Sequence, residues 1–169
     1  SLYFSPPTII DNGVYAAVAS PECEYGLTEQ GHPVLPYLTA VFTFRPGTKI
    51  DQVRAHVSTV QTMLLSQKIQ PAPQAVSAKL ETENPGVIEG DVYRSTTCYP
   101  SQWLSYSIGV GTDGNGQVII LSLQVYPVRY QPAADTLEYI EHIDIDVQYE
   151  VPSSPLKQID EYDLLIVAP

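Results

Sequence analysis

The chain has 169 residues and a formal net charge of −11 at pH 7. This length predicts one domain with a hydrophobic core of its own. A duplex phosphate backbone would repel so acidic a surface, which argues against nucleic acid as a partner. No stretch approaches the roughly 20 apolar residues of a membrane-spanning helix, so no membrane partner is expected. The 12 Tyr, 15 Pro and many β-branched residues favour strands over helices.

The first half of the chain predicts short strands separated by turns. Residues 14–18 form an apolar run typical of a buried strand, and residues 37–44 predict a second one. A Pro-Gly turn at 45–48 then reverses the chain. Residues 50–65 alternate with a two-residue period, so we expect a long antiparallel hairpin of 37–44 with 50–65. Residues 67–85 contain three prolines, which exclude a regular helix and leave at most short extended pieces.

The second half predicts two hairpins. Residues 104–111 and 117–126 are expected to pair across an Asp-Gly-Asn-Gly turn, which is a strong hairpin signal. Another hairpin is predicted to turn at 131–135. The alternation beyond it places five apolar side chains inward, at Ile143, Ile145, Val147, Tyr149 and Val151. The expected fold is all-β, an antiparallel, jelly-roll-like β-sandwich.

The pattern changes character near the C-terminus. Residues 1–151 are predicted to form the sandwich, and residues 152–160 have the composition of a linker. Residues 161–169 then run into a continuous apolar stretch without alternation, which is typical of a strand covered on both faces. We expect 161–169 to be the first strand of a following α/β domain that this chain does not contain.

Two acidic features suggest a cation but favour simpler interpretations. Asp113, Asn115 and Gly116 match three positions of an EF-hand loop, but the leading carboxylate, the closing Glu and the flanking helices are missing, so a tight hairpin is preferred. Asp144, Asp146 and Glu150 share one strand face at a spacing too wide for one ion, so a solvated face is preferred. No metal and no other cofactor is predicted.

Cys23 and Cys98 are the only cysteines, and their spacing fits no metal motif. They could form a disulfide, which would imply an oxidising compartment, or be two separate thiols, and the sequence leaves both open. A cysteine nucleophile would need one of the three histidines beside it, and neither cysteine has basic neighbours that would lower its pKa. No serine-hydrolase elbow, phosphate loop or zinc-peptidase motif occurs, so the chain is not expected to be an enzyme.

Three blocks of sequence resemble the pro-region of gingipain-type cysteine peptidases, family C25, and the resemblance extends over residues 26 to 151. The similar blocks, in chain order, are Gly31-His32-Pro33-Val34-Leu35-Pro36 before a strand, Glu83-Asn84-Pro85 with Tyr99-Pro100 further on, and Val125-Tyr126-Pro127-Val128-Arg129-Tyr130-Gln131-Pro132. The run 162–169 is similar to the opening strand of that family's caspase-like catalytic domain.

The resemblance implies a non-catalytic prodomain of a secreted or cell-surface cysteine endopeptidase. Such a prodomain assists folding and covers the active-site cleft until it is cleaved off, so the implied partner is the downstream catalytic domain. A latency peptide needs a segment that fills the substrate groove, and residues 77–92 are the least sheet-like candidate. A basic plug would pair with a pocket carboxylate, although Glu81 stands where family members can show Arg. The inhibitory-loop candidates are Lys79, Glu81, Glu83, Asn84 and Arg94.

Two rival functions come from other classes. One is a carbohydrate-binding or adhesion module, in which exposed tyrosines and Trp103 would form a flat platform for sugar rings. A buried Trp103 would count against this module. The other rival is a cysteine hydrolase, which requires a cysteine sulfur within hydrogen-bond reach of a histidine nitrogen.

Overall fold

The computed structural model describes residues 1–73, 87–114 and 116–153. Within these residues the chain forms strands and two short 3-10 helices, Asp91–Arg94 and Pro132–Ala134. The strands are β1 (Leu2–Tyr3), β2 (Thr8–Asp11), β3 (Ala16–Ala19), β4 (Tyr25–Gly26), β5 (Pro36–Phe44), β6 (Lys49–Val57), β7 (Gln61–Leu64), β8 (Leu104–Thr112), β9 (Gln117–Val125), β10 (Val128–Gln131), β11 (Thr136–Tyr139) and β12 (His142–Glu150). No helix in this part of the chain is long and apolar enough to cross a membrane.

The strands form four antiparallel sheets. The largest has the order β4-β5-β9-β8, and a three-stranded sheet has the order β1-β12-β6. The strands β10-β11-β7 form another sheet, and β2 pairs with β3. The prediction of an antiparallel all-β fold is confirmed.

The four-stranded sheet and the β1-β12-β6 sheet pack face to face. The register of β5, β9 and β8 places Leu38, Val125 and Leu104 in one row. This row shares a core cluster with Ile143 of β12 and Val57 of β6, which belong to the other sheet. Burial of these apolar side chains between the sheets is the main stabilising term of a sandwich, so the predicted β-sandwich is also confirmed.

A second core lies under the smaller sheets. It is centred on Leu35, Ile69, Tyr130 and Leu137, which are all completely buried. The buried Tyr130 hydroxyl donates to Asp135 Oδ1 at 2.6 Å, so the polar end of this core side chain is satisfied. This second core supports the region described below as the candidate site.

The 104–126 hairpin is confirmed, whereas the hairpin of 37–44 with 50–65 was wrong. β8 pairs with β9 across the predicted turn, where the Asp113 amide donates to the Gly116 carbonyl at 3.2 Å. β5 pairs with β9 instead of β6, and β6 pairs with β12. The turn after Phe44 therefore carries the chain from one sheet of the sandwich to the other.

The single long strand predicted over 50–65 is divided in two. β6 ends at Val57, and β7 begins at Gln61 and pairs with β11 in a different sheet. The partner strands explain the division, because β11 and β12 are themselves separated by Ile140 and Glu141. The sequence alternation gives no sign of the break between β6 and β7. Only the strands with which β6 and β7 pair show where it lies.

Three further details differ from the sequence pattern. β3 begins at Ala16, and Val14 is exposed. Tyr149 and Val151 are exposed instead of facing inward, because they lie at or beyond the end of β12, where the second sheet covers them only in part. The proposed linker beyond Ser153 and the apolar run 161–169 lie outside the described residues.

Candidate functional site

Most of the predicted inhibitory residues lie between the described parts of the chain. Lys79, Glu81, Glu83 and Asn84 fall within residues 74–86, outside the described residues. Arg94 is the last residue of a 3-10 helix and is exposed, with Nη1 3.9 Å from Asp91 Oδ1. An ion pair so long between exposed groups contributes little, so the Arg94 guanidinium is accessible to a partner.

The residues on either side of 74–86 are held together at one place, around Gly31. The Gly31 amide donates to the Ala72 carbonyl at 3.1 Å, and the Ala72 amide donates to the His32 carbonyl at 2.8 Å. On the other side, the Gly90 amide donates to the Gly31 carbonyl at 2.9 Å. Gly31 is therefore hydrogen-bonded to both flanks, and we call Gly31, His32, Ala72 and Gly90 the loop base.

The loop base requires two glycines. Gly31 has a φ of +74°, and a Cβ there would lie 3.2 Å from both the Cα and the N of Gly90. A Cβ on Gly90 would lie 2.9 Å from the Gly31 carbonyl oxygen. Only a pair of glycines lets the two backbones approach so closely without strain.

The first sequence block of the family resemblance forms this loop base. Pro33 and Leu35 follow Gly31 and are completely buried, and the Val34 amide donates to the Gln70 carbonyl at 2.9 Å. The block is thus fixed to the chain just before residue 74. The sequence marked Gly31 as part of a motif, but nothing in it showed that Gly90 is its partner.

The chain after residue 86 is also tied to the body of the domain. Glu89 forms an ion pair with Lys68, with 2.7 Å between Oε2 and Nζ, and this hydrogen bond raises the pKa of the lysine. The Tyr93 hydroxyl donates to the Ile69 carbonyl at 2.6 Å, and burial raises the pKa of that phenol. These contacts hold the 3-10 helix that ends at Arg94 against the core.

A cavity of about 410 Å³ opens beside the loop base. Glu29, Tyr99 and Tyr126 are among its lining residues. The Tyr99 hydroxyl donates to Glu29 Oε2 at 3.3 Å, and the His32 ring lies 4.9 Å from the Tyr99 ring. Burial is the largest cause of the raised pKa of Tyr99. The phenol therefore stays neutral and remains a hydrogen-bond donor.

Cys23 and Cys98 are separate thiols in the structure. Burial raises the pKa of Cys23 and that of Cys98. The groups that act on these thiols are Ser20 and Glu22 for Cys23, and Glu138 and Arg129 for Cys98. No histidine is among these groups in the described part of the chain.

In the described part of the chain, Trp103 and the neighbouring Tyr25, Tyr37 and Tyr126 do not form the flat platform that a carbohydrate module needs. Trp103 is half-buried in the sandwich core, and the Arg129 guanidinium lies 4.1 Å from its ring centroid. The planes of Tyr25 and Tyr37 are tilted by 31°, and those of Tyr37 and Tyr126 by 48°. Among the described residues, these tilted rings cannot stack together on one sugar face.

The acidic face of β12 is largely paired within the fold. Asp146 lies 3.4 Å from His56 Nε2, and Asp144 lies 3.3 Å from His142 Nε2. Asp144 also accepts a hydrogen bond from the Ser1 hydroxyl, which lowers its pKa. No group of three or more His, Cys, Asp or Glu suited to a metal ion occurs in residues 1–73, 87–114 and 116–153.

A family model and solved structures of other proteins are similar to this chain. The family model Propeptide_C25 matches residues 7–164. One similar solved structure is that of gingipain K from Porphyromonas gingivalis, which was determined to explain the zymogenic latency of that protein. It superposes on this chain with a TM-score of 0.67 at 22% sequence identity, and the match covers 85% of this chain and 80% of that chain. A complex of the RgpB pro- and mature domains from Porphyromonas gingivalis has a TM-score of 0.61 at 16% identity, covering 94% and 82%. No curated protein sequence matches the chain.

Proposed function

We propose a latency function on the premise that this chain belongs to the C25 propeptide family. In this proposal the chain is the N-terminal prodomain of a secreted or cell-surface gingipain-like cysteine endopeptidase. It assists the folding of the catalytic domain and covers the active-site cleft until it is cleaved off. The catalytic residues belong to the downstream domain, which is the partner of this chain.

The loop base is the observation that carries the proposal. Because Gly31 is hydrogen-bonded to both Ala72 and Gly90, the residues on either side of 74–86 meet at one place. An inhibitory segment needs such a rigid base, because ordering a free segment on binding costs conformational entropy. The base lies over the buried second core, so the domain itself provides that rigidity.

The candidates for the group that enters the specificity pocket are Lys79 and Arg94. A cation there would form a charge-assisted hydrogen bond with a pocket carboxylate. Arg94 is exposed on a helix that Tyr93 fixes to the core, whereas Lys79 lies within residues 74–86. If the pocket prefers another side chain, Glu81, Glu83 and Asn84 are the remaining candidates.

Inhibition of the mature catalytic domain of the same precursor by the purified chain tests the proposal. We expect inhibition at micromolar or lower concentration, together with a higher yield of active peptidase when the catalytic domain refolds with the chain present. Replacing the plug by alanine, as Lys79→Ala or Arg94→Ala, should raise the inhibition constant by about 30-fold or more, the effect of a binding hot spot. Arg54→Ala, at an exposed arginine on β6, is the matched control and should change it less than about 3-fold.

The outcomes test the latency function separately from the identity of the residue that enters the specificity pocket. An absence of inhibition at micromolar excess of the wild-type chain would remove the latency function. Inhibition that survives both alanine substitutions would retain the function and move the plug to Glu81, Glu83 or Asn84.

A further inference from the structure

The last strand of the largest sheet, β8, has an outer edge that is not paired with any strand of the described residues. Among the described residues β8 pairs with β9 alone. Its nine residues, Leu104 to Thr112, include no charged side chain and no proline. Natural sheets usually protect long edges with such residues, because an open edge is a template for pairing with another strand. The other nine-residue edge, β6, carries charge at Lys49, Asp51 and Arg54.

Large apolar side chains stand in solvent along β8. Tyr106 and Ile108 are each 48% exposed, and Val110 is 70% exposed. Because alternate residues of a strand point to one face, these three form a continuous strip. The residues between them, Ser107 and Gly109, are small, so the opposite face does not obstruct an approaching backbone. Exposed apolar strips of this kind mark interaction surfaces.

The Val110 end of the strip lies near the end of the sandwich where the described chain leaves β12. The register of the largest sheet places Phe44, Ile119 and Val110 in one row. The Phe44 ring contacts the Tyr149 ring, with 4.9 Å between centroids, and β12 ends at Glu150. A domain joined to the chain beyond this point is therefore tethered near the β8 edge at high effective concentration.

We propose that the catalytic domain of the peptidase docks on the β8 edge by adding an extended, uncharged segment to the sheet beside residues 105–111. The backbone hydrogen bonds of the added strand provide affinity, and the strip formed by Tyr106, Ile108 and Val110 packs against apolar side chains of that segment. This inference rests on the proposed latency function and adds a second contact, separate from the loop base.

One pair of variants tests the docking surface. Ile108→Lys places a charge on the strip, and Val41→Lys places the same charge at a 58% exposed position on the opposite face of the same sheet. Binding of each chain to the inactive mature catalytic domain is measured by titration calorimetry. We expect Ile108→Lys to weaken binding about tenfold or more and Val41→Lys to change it less than about twofold. Thermal unfolding of both variants confirms that they fold.

Hydrogen exchange distinguishes strand addition from a simple apolar contact. In an antiparallel pair only alternate amides of β8 face β9, and the others face outward. We expect the outward amides within residues 105–111 to exchange fast in the free chain and to become protected in the complex. Protection already present in the free chain would overturn the proposal, and so would amides that stay unprotected in the complex.

The remaining outcomes separate this inference from the function on which it rests. If the wild-type chain binds but both lysine variants bind equally well, the docking surface is wrong and the latency function stands. If the wild-type chain does not bind at all, the latency function fails. A dimer of the chain alone at micromolar concentration that Ile108→Lys dissociates would assign the edge to a second copy and overturn the proposal.

Discussion

Around Gly31 the backbone groups are paired and the neighbouring side chains are buried. Along β8, in contrast, large apolar side chains are exposed beside a strand edge that no strand of residues 1–73, 87–114 and 116–153 pairs with. The two regions use apolar side chains for opposite purposes. At the loop base the buried packing fixes the residues on either side of 74–86, which is what the proposed presentation of that segment to a partner requires. At the β8 edge apolar surface is left unburied, which is what a contact surface requires.

The largest effect expected from this comparison is in the core beneath the loop base. Leu137→Ala removes a completely buried side chain and should lower the free energy of unfolding by about 2–5 kcal/mol. Leu64→Ala is the matched control on the neighbouring strand, at a position 79% exposed, and should cost less than about 0.5 kcal/mol. Urea denaturation measures both. Similar losses in the two variants would mean that the core is not where the packing indicates.

A smaller effect is expected where the two glycines meet. Gly90→Ala forces a Cβ to within 2.9 Å of the Gly31 carbonyl, so we expect a loss of about 1–3 kcal/mol and weaker inhibition. Gly109→Ala on β8 is the control for stability alone, because a Cβ there meets no atom within 4 Å but the residue lies on the proposed docking edge. The control should stabilise the strand by up to about 1 kcal/mol. Equal tolerance of the two alanines would contradict the close contact at the loop base.

The smallest and most gradual effect is the loss of folding stability at alkaline pH. Burial raises the pKa of Tyr93, Tyr99 and Tyr130 above their usual value of 10.0. Above about pH 10 the unfolded chain therefore releases protons that the folded chain keeps, so stability is complete below that pH and falls as the pH rises. Urea denaturation from about pH 8 to pH 11 should show this decline. Tyr130→Phe should reduce its slope, and a flat profile would argue against burial of these phenols.

The sequence predicted local features of the fold well, but it predicted poorly which strands pair with each other. The 104–126 hairpin follows from turn residues that impose their own geometry, and it was confirmed. The pairing of β5 with β6 was predicted from their proximity in the chain, and it was wrong, because β5 pairs with β9 and β6 pairs with β12 in the other sheet. The candidate site was predicted only in part: the Gly31 block was identified as a motif, but its contact with Gly90 required the folded chain.

The amino-acid sequence by itself determined that this chain is an antiparallel all-β domain of the C25 propeptide family. A two-residue period and turn chemistry act within a few neighbouring residues, so they can be recognised without a structure. Only the tertiary structure decided which strands share a sheet, that Gly31 binds both flanks of residues 74–86, and that no strand of the described residues pairs with the outer edge of β8. These features depend on contacts between residues distant in the chain, and such contacts are selected by burial and shape across the whole domain.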